Sequence, residues 1–297
     1  MNRIFTYNIQ ANQEPLTIQD FLKSLGYSHA IIANLKRTPN GILKNGIWAR
    51  TCELLVSNDC LTITLSEVSV SHNIVPVKLP LHILYEDQDL MVINKSSNTP
   101  IHPSQGNYEN TLANAVAYYY AQKDEPFVYR CINRLDRDTT GLLILAKHMY
   151  SASLLSHMIQ HREIHREYLA LATGLVDKEG VIDAPIGRVE GSTIERKVDF
   201  LNGEFALTTY RRLAYKNGYS LVALTLATGR THQIRVHMNY IGHPLPGDFL
   251  YFPDYTKIQR QALHSYRLSF YHPITHIWME FHAPLPNDML SILHDFH

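Results

Sequence analysis

The run Leu142-Leu143-Ile144-Leu145-Ala146 constrains the fold of this chain more than any other stretch. Five apolar residues without alternation describe a buried strand. A polar cluster precedes it, made of Asn133, Arg134, Asp136, Arg137, Asp138, two threonines and Gly141. That cluster reads as the loop entering the strand. Asp136 lies between Arg134 and Arg137, and an acid flanked by cations is favoured in its charged form. On a rigid mount such a carboxylate is fit to act as a nucleophile. A surface ion-pair loop would show the same residues, because charge clusters mark structural networks as well as sites. From these residues alone both readings stay open.

The chain has 297 residues, 45% of them hydrophobic, which suits one large globular domain with a smaller one beside it. Its formal net charge is zero, so bulk charge announces no nucleic-acid partner. The charge is uneven, however. Residues 186–235 hold eight Lys or Arg against four Asp or Glu, and a local basic face can bind phosphate on a neutral protein. Cys52, Cys60 and Cys131 are too few and scattered for a disulfide framework or a cysteine zinc site. The opening MNRIFTYNIQ lacks the apolar core of a signal peptide, and no apolar run reaches membrane-spanning length. A monomer in a reducing cytoplasm, without membrane contact, is the expectation.

Residues 15–70 read as a small unit of helix, helix, strand, turn and strand. Ile18, Phe21, Leu22 and Leu25 follow one helical spacing, and Ile31, Ile32 and Leu35 another. A turn at Asn45-Gly46 and the alternating Leu61–Leu65 supply the strands. Residues 71–80, with two prolines, read as a linker. The domain boundary is placed at 72/73. Beyond it, HILYEDQDLMVINK has the form strand, acidic turn, strand, and Leu112–Tyr120 forms a helix capped by Asn110 or Thr111. A second helix is expected over Ser151–Glu167, followed by a strand from Tyr168 to Ala172. VYRCIN, around Cys131, reads as a strand. From about 181 to 283 strands dominate, with a short helix in GRTHQIRVHMNYIG. Strands with few helices and no βαβ alternation predict an α+β fold, with a mixed, mainly antiparallel sheet and flanking helices.

Polar function concentrates in five segments: the Asp136 loop, HREIHREYLALATG with Tyr168, ATGRTHQIRVHMNYIGHPLPGD, the loop Pro100–Ser104 with His102, and LHSYRLSFYHPIT. Seventeen histidines raise the question of a metal. On the expected helix His157, His161 and His165 share one face, but Arg162 and Arg166 crowd them, and no acidic residue completes a zincin-type motif. Partly exposed or backbone-bonded histidines are the expected reading, and no metal is assigned. A phosphate-cradling glycine loop and a nucleophile-elbow serine are both absent from the sequence.

Together these segments resemble the pseudouridine synthases, specifically the branch that modifies ribosomal or transfer RNA and is typified by RluA. The likeness runs from about Pro80 to Leu285. YEDQDLMVINK and TPIHPS, NRLDRDTTGLLILAK, REYLALATG, TGRTHQIRVHMNYIGHPLPGD and LHSYRLSFYHPIT occur in the family's order. Residues 1–72 look like a diverged S4-type RNA-binding domain. The resemblance implies that Asp136 is the catalytic carboxylate, Arg235 its ion-pair partner, Tyr168 a contact of the target base, and Arg134 a wedge that displaces that base. It further implies RNA contacts at Asn133, Arg137, His102, Arg162, Arg166, Arg230, His232 and Gln233. The implied reaction breaks the N1–C1′ bond of a uridine, turns the uracil and rejoins it through C5, with no cofactor. A non-catalytic RNA-binding protein acting in ribosome assembly is the alternative, and the intact Asp136, Tyr168 and Arg235 argue against it. The chain departs from the family at Asn133, where His is usual, at Ser96 and Asn98, where Pro and Gly are usual, and at Phe252. Asn98 still tolerates the left-handed backbone of a turn.

Overall fold

A computed structural model describes residues 2–10, 16–67, 71 and 73–293. The N-terminal part runs through β1 (Asn2–Asn8), β2 (Leu16–Thr17), α1 (Ile18–Ser24), α2 (His29–Arg37), β3 (Ile42–Lys44), β4 (Ile47–Trp48), β5 (Leu54–Leu55) and β6 (Cys60–Ser66). Its main sheet has the order β1-β6-β3-β4. The helices start where Thr17 and Ser28 accept a backbone N–H three residues on, as capping hydroxyls do. The sequence reading assigns no element before Pro15, so β1 is an addition. It pairs with β6 along its whole length and supplies Phe5 to the core under α1 and α2. The expected boundary at 72/73 touches residue 72, which lies outside the described residues.

The rest of the chain continues with β7 (Ile83–Glu86), β8 (Leu90–Lys95), α3 (Leu112–Ala121), β9 (Thr140–Ala146), α4 (Met149–Gln160) and β10 (His165–Thr173). Then come β11 (Glu179–Asp183), β12 (Ile186–Arg188), β13 (Arg196–Val198), β14 (Leu207–Lys216) and β15 (Tyr219–Leu226). The chain closes with α5 (Gln233–Tyr240), β16 (Leu263–Tyr271), β17 (Trp278–His282) and α6 (Asn287–Leu293). Nine strands form one sheet, ordered β11-β14-β15-β10-β16-β9-β8-β7, with β17 also paired to β16. Within it, β16 and β9 pair in parallel and the other neighbours are antiparallel, as the α+β reading expects. The paired hairpin β12–β13 stands apart from this sheet.

The apolar run of β9 is buried because both faces of the sheet are covered. Leu143 and Leu145 join a core that includes Leu112 and Val116 of α3 and Ile234 and Met238 of α5. Leu142 and Ile144 point the other way, onto Leu155 and Met158 of α4. At the entrance to β9 the strand β16 crosses so closely that a Cβ on Gly141 would collide with the Ser265 carbonyl. Gly141 also has φ +107, so a glycine is required there.

Two expectations are corrected. The second helix ends at Gln160, not Glu167. Arg162 then takes a left-handed φ of 62, and a new strand is already running at His165. His165 therefore does not share a helix face with His157 and His161. VYRCIN forms no strand. It lies beside β9 through an isolated bridge from Cys131 to Leu145.

Candidate active site

Asp136 sits in the loop before β9, and its side chain is 28% exposed. Its partner comes from α5. Arg235 Nη1 donates to Asp136 Oδ2 at 2.8 Å. The guanidinium is 1% exposed and clamped from behind, because Nε and Nη2 donate to the two carboxylate oxygens of Asp248 at 2.7 and 2.8 Å. Such a two-pronged bond fixes the plane of the guanidinium as well as its position. The rings of Tyr251 and Phe249 pack against it at 5.1 and 5.4 Å. Burial alone would disfavour the cation, but hydrogen bonding to Asp248 and the charges of both carboxylates hold the Arg235 pKa above its ordinary value.

Asp248 is thus part of the site, and the sequence reading gave it no role. The signal was the conjunction Pro-Gly-Asp after the arginine motif. Gly247 has φ +73, and a Cβ there would collide with the Arg260 carbonyl, so the turn can present Asp248 only with a glycine before it.

His232 is a second neighbour of Asp136, with Nε2 3.9 Å from Oδ1. It caps α5 in a left-handed conformation, and its Nδ1 lies 3.0 Å from the Tyr251 hydroxyl. Burial pushes the His232 pKa down, against the pull of Asp136. Gln233, expected at the RNA, is buried and committed internally. Its Oε1 accepts from Thr228 Oγ1 and Arg230 N, and its Nε2 donates to Leu207 O and Thr208 Oγ1. His237, one turn on, lies with Nε2 2.8 Å from Ala184 O and Nδ1 2.8 Å from Thr208 Oγ1. A carbonyl only accepts, so Nε2 carries the proton and Nδ1 accepts from the hydroxyl. Gln233 and His237 therefore pin α5 to its neighbours on either side of Arg235.

Asn133 is likewise buried. Its Oδ1 accepts from Ile144 N at 2.8 Å and its Nδ2 donates to Leu142 O, which ties the Asp136 loop to β9. The arginines flanking Asp136 do not pair with it. Arg137 donates twice to Asp138, with its guanidinium 5.5 Å from the Phe249 ring, and Arg134 points into an open cleft. Below the loop, buried Lys95 donates to the carbonyls of Ser96, Thr99 and Arg137. Burial brings its pKa to about 7, while Asp138 and Asp136 pull upward. Asn98 has φ 51, as expected of the turn, and its N–H bonds Asp138.

The cleft above Asp136 has a volume of about 1080 Å³ and is lined by Arg134, Tyr168, Arg162, Arg166, Arg230 and His232 among others. Tyr168 stands on β10 next to a bulge at Glu167, is 4% exposed, and has its phenol pKa raised by burial. Arg230 pairs with Glu204 and Phe205 O at the rim. His102 and Arg137 are not among the lining residues. His102 stands edge-on to Tyr129 at 5.0 Å. The cleft thus offers a positioned carboxylate, a buried phenol beside it and several cations at the rim. That combination suits substitution at a glycosidic carbon within a phosphate-bearing polymer.

Among the described residues one histidine–carboxylate cluster has metal-like spacing: Asp87, Asp89 and His272. It lies away from the cleft, and its acids are taken by Arg3, His148 and His272. No helix among the described residues is long and apolar enough to cross a membrane.

The model of the RNA pseudouridylate synthase family matches residues 89–240, which hold Asp136, Tyr168 and Arg235. The chain is 39% identical to the uncharacterized RNA pseudouridine synthase YjbO of Bacillus subtilis, over 94% of this chain and 98% of that one. It is 39% identical to ribosomal large subunit pseudouridine synthase D of Escherichia coli, over 77% and 74% of the two chains. Among solved structures it resembles human RNA pseudouridylate synthase domain containing 1, with a TM-score of 0.59 and 28% identity over 69% and 83%. The chain belongs to the RNA pseudouridylate synthase family. It is an isomerase that converts uridine in RNA to pseudouridine.

Proposed function

We propose that this enzyme modifies uridines of ribosomal large-subunit RNA, with Asp136 as the catalytic carboxylate. The observation that carries the assignment is the Arg235–Asp136 pair at 2.8 Å on the floor of a cation-lined cleft. Breaking the N1–C1′ bond builds positive character at C1′, so an oriented carboxylate is the main requirement. Two routes suit it: attack on C1′, or removal of the C2′ proton. Uracil leaves as a delocalised anion, turns, and bonds through C5. The C5 proton then departs, and we assign it to a water beside Tyr168, because burial disfavours the phenolate. The uridine reaches the cleft by leaving its stack, at a cost of a few kcal/mol, and exposed Arg134 fits the space it vacates. Arg162, Arg166 and Arg230 at the rim are assigned to phosphates.

The ribosomal target is favoured by the likeness to ribosomal large subunit pseudouridine synthase D of Escherichia coli. We assign the unit of residues 1–72 an RNA-binding role of the S4 type, with Lys36 and Arg37 in the last turn of α2 as exposed cations. The test is release of tritium from 5-tritiated uridine, because C5 loses its hydrogen in the reaction. Release is expected from transcribed large-subunit RNA of the source organism and not from its transfer RNAs. Release from transfer RNA alone would overturn the target.

A further inference from the structure

A second groove, of about 410 Å³, opens beside the catalytic cleft between β13 and α5. The geometry points to a subsite in it for one unpaired nucleotide of the substrate RNA, next to the uridine being isomerised. This rests on the RNA substrate read above.

The groove presents two aromatic side chains that the fold does not use. Phe200 is 65% and Tyr240 53% exposed, with ring centroids 6.4 Å apart and planes at 60°. Side by side they form a small apolar patch with cations beside it, the form of surface that marks an interaction site. An unstacked base supplies a flat apolar face, and stacking on aromatic side chains is how single-stranded RNA is commonly held. Arg196 and Lys197 line the same groove against Glu195, so the lining carries a net positive charge. On the hairpin Arg188 stands directly opposite Arg196. Like charges in that register repel, and an RNA phosphate laid across them relieves the repulsion.

Tyr251 stands between the two cavities: it lines the groove and packs on Arg235, which lines the cleft. The Tyr251 hydroxyl accepts from Arg196 N at 3.0 Å and lies 3.0 Å from His232 Nδ1, and His232 Nε2 is 3.9 Å from Asp136. Two side chains, Tyr251 and His232, therefore separate the groove from the catalytic carboxylate. A nucleotide seated on Phe200 and Tyr240 would also brace the hairpin whose backbone holds Tyr251.

The test uses the full chain and a ten-residue oligouridylate carrying 4-thiouridine, irradiated and mapped by mass spectrometry. Cross-links are expected on the segments containing Phe200 and Tyr240 as well as on the catalytic cleft. The double variant Phe200→Ser/Tyr240→Ser should lose the groove cross-links, keep those of the cleft, and bind the oligonucleotide about fivefold or more weakly. Cross-links confined to the cleft, or affinity unchanged in the variant, would overturn the subsite. So would concentration-dependent self-association of the wild type that the variant abolishes, because the face would then belong to a second copy. The oligonucleotide needs no isomerisation. Failure of the ribosomal assignment shows separately, as absent tritium release from large-subunit RNA.

Discussion

Arg235 and Asp136 stand 99 residues apart in the chain and 2.8 Å apart in space. The pair is asymmetric: Arg235 is sealed and bonded on its far side to Asp248, while Asp136 faces the cleft. The arginine is therefore a fixed mount, and the carboxylate is the group free to meet a substrate. Positioning before the reaction is what makes such a charge effective in the transition state.

Arg235→Met should remove the mount and also strand Asp248 as a buried, unpaired carboxylate. Breaking one side of a buried pair typically costs roughly 3–5 kcal/mol. We expect both a lowered melting temperature and a crippled single-turnover rate. Thermal denaturation followed by rapid-quench tritium release checks the two effects. A single-turnover rate equal to wild type would refute the pairing.

Asp136→Asn keeps the volume and removes the charge. Isomerisation should fall by on the order of ten-thousandfold, as when a reacting group is deleted. RNA affinity should change little. Tritium release measures the first and filter binding the second, and near-normal turnover would remove Asp136 from its role.

His264 gives a pH signature to the joint between β9 and β16. Its Nδ1 lies 2.8 Å from Thr140 Oγ1 and its Nε2 3.1 Å from Ala283 O, an arrangement suited to the neutral ring. Burial lowers its pKa to about 4, against an ordinary value near 6.5. Between those values the unfolded chain binds a proton that the folded chain does not, so stability rises with pH through that window. It is lost as pH falls from about 6.5 toward 4, by roughly 3 kcal/mol at most. Urea denaturation of wild type and His264→Gln across pH 4–7 checks this. The gap between the two variants should change over that range, and parallel curves would contradict it.

Removing the N-terminal unit is a poor probe of its role, for a structural reason. Tyr150 at the start of α4 belongs to that unit's core, stacks on Tyr27 at 3.9 Å, and donates to Leu25 O. Truncation would expose that surface and unpair Arg130, which bonds Glu67. Lys36→Glu/Arg37→Glu leaves these contacts alone. It should weaken RNA binding several-fold, with a shallower salt dependence and little change in single-turnover rate at saturating RNA. Equal affinity at all salt concentrations would remove the RNA-binding assignment.

Local chemistry was legible in this chain wherever the determinant was local. The Thr111 hydroxyl caps α3 through a reciprocal bond with Asn114, the Asn45-Gly46 turn closes β3 onto β4, and the Leu142–Ala146 run is a buried strand. The end of α4 was not legible. No glycine or proline marks it, and the pairing of β10 with β15 and β16 draws His165 onward into the sheet. The strand β1 was missed for the related reason that its partner β6 is far along the sequence.

The sequence by itself determined the family motifs, the α+β class, and the presence of Asp136, Tyr168 and Arg235. The family resemblance already implied that Arg235 meets Asp136, and tertiary structure shows how the nearer cations are excluded. Arg134 and Arg137 adjoin it in the chain but are turned elsewhere, and Arg235 arrives from α5 with Asp248 behind it. Tertiary structure alone decided that Asn133 and Gln233 bond the framework. The reason is physical: ion pairs and buried hydrogen bonds depend on distance and direction in space, and neighbours in sequence carry information about neither.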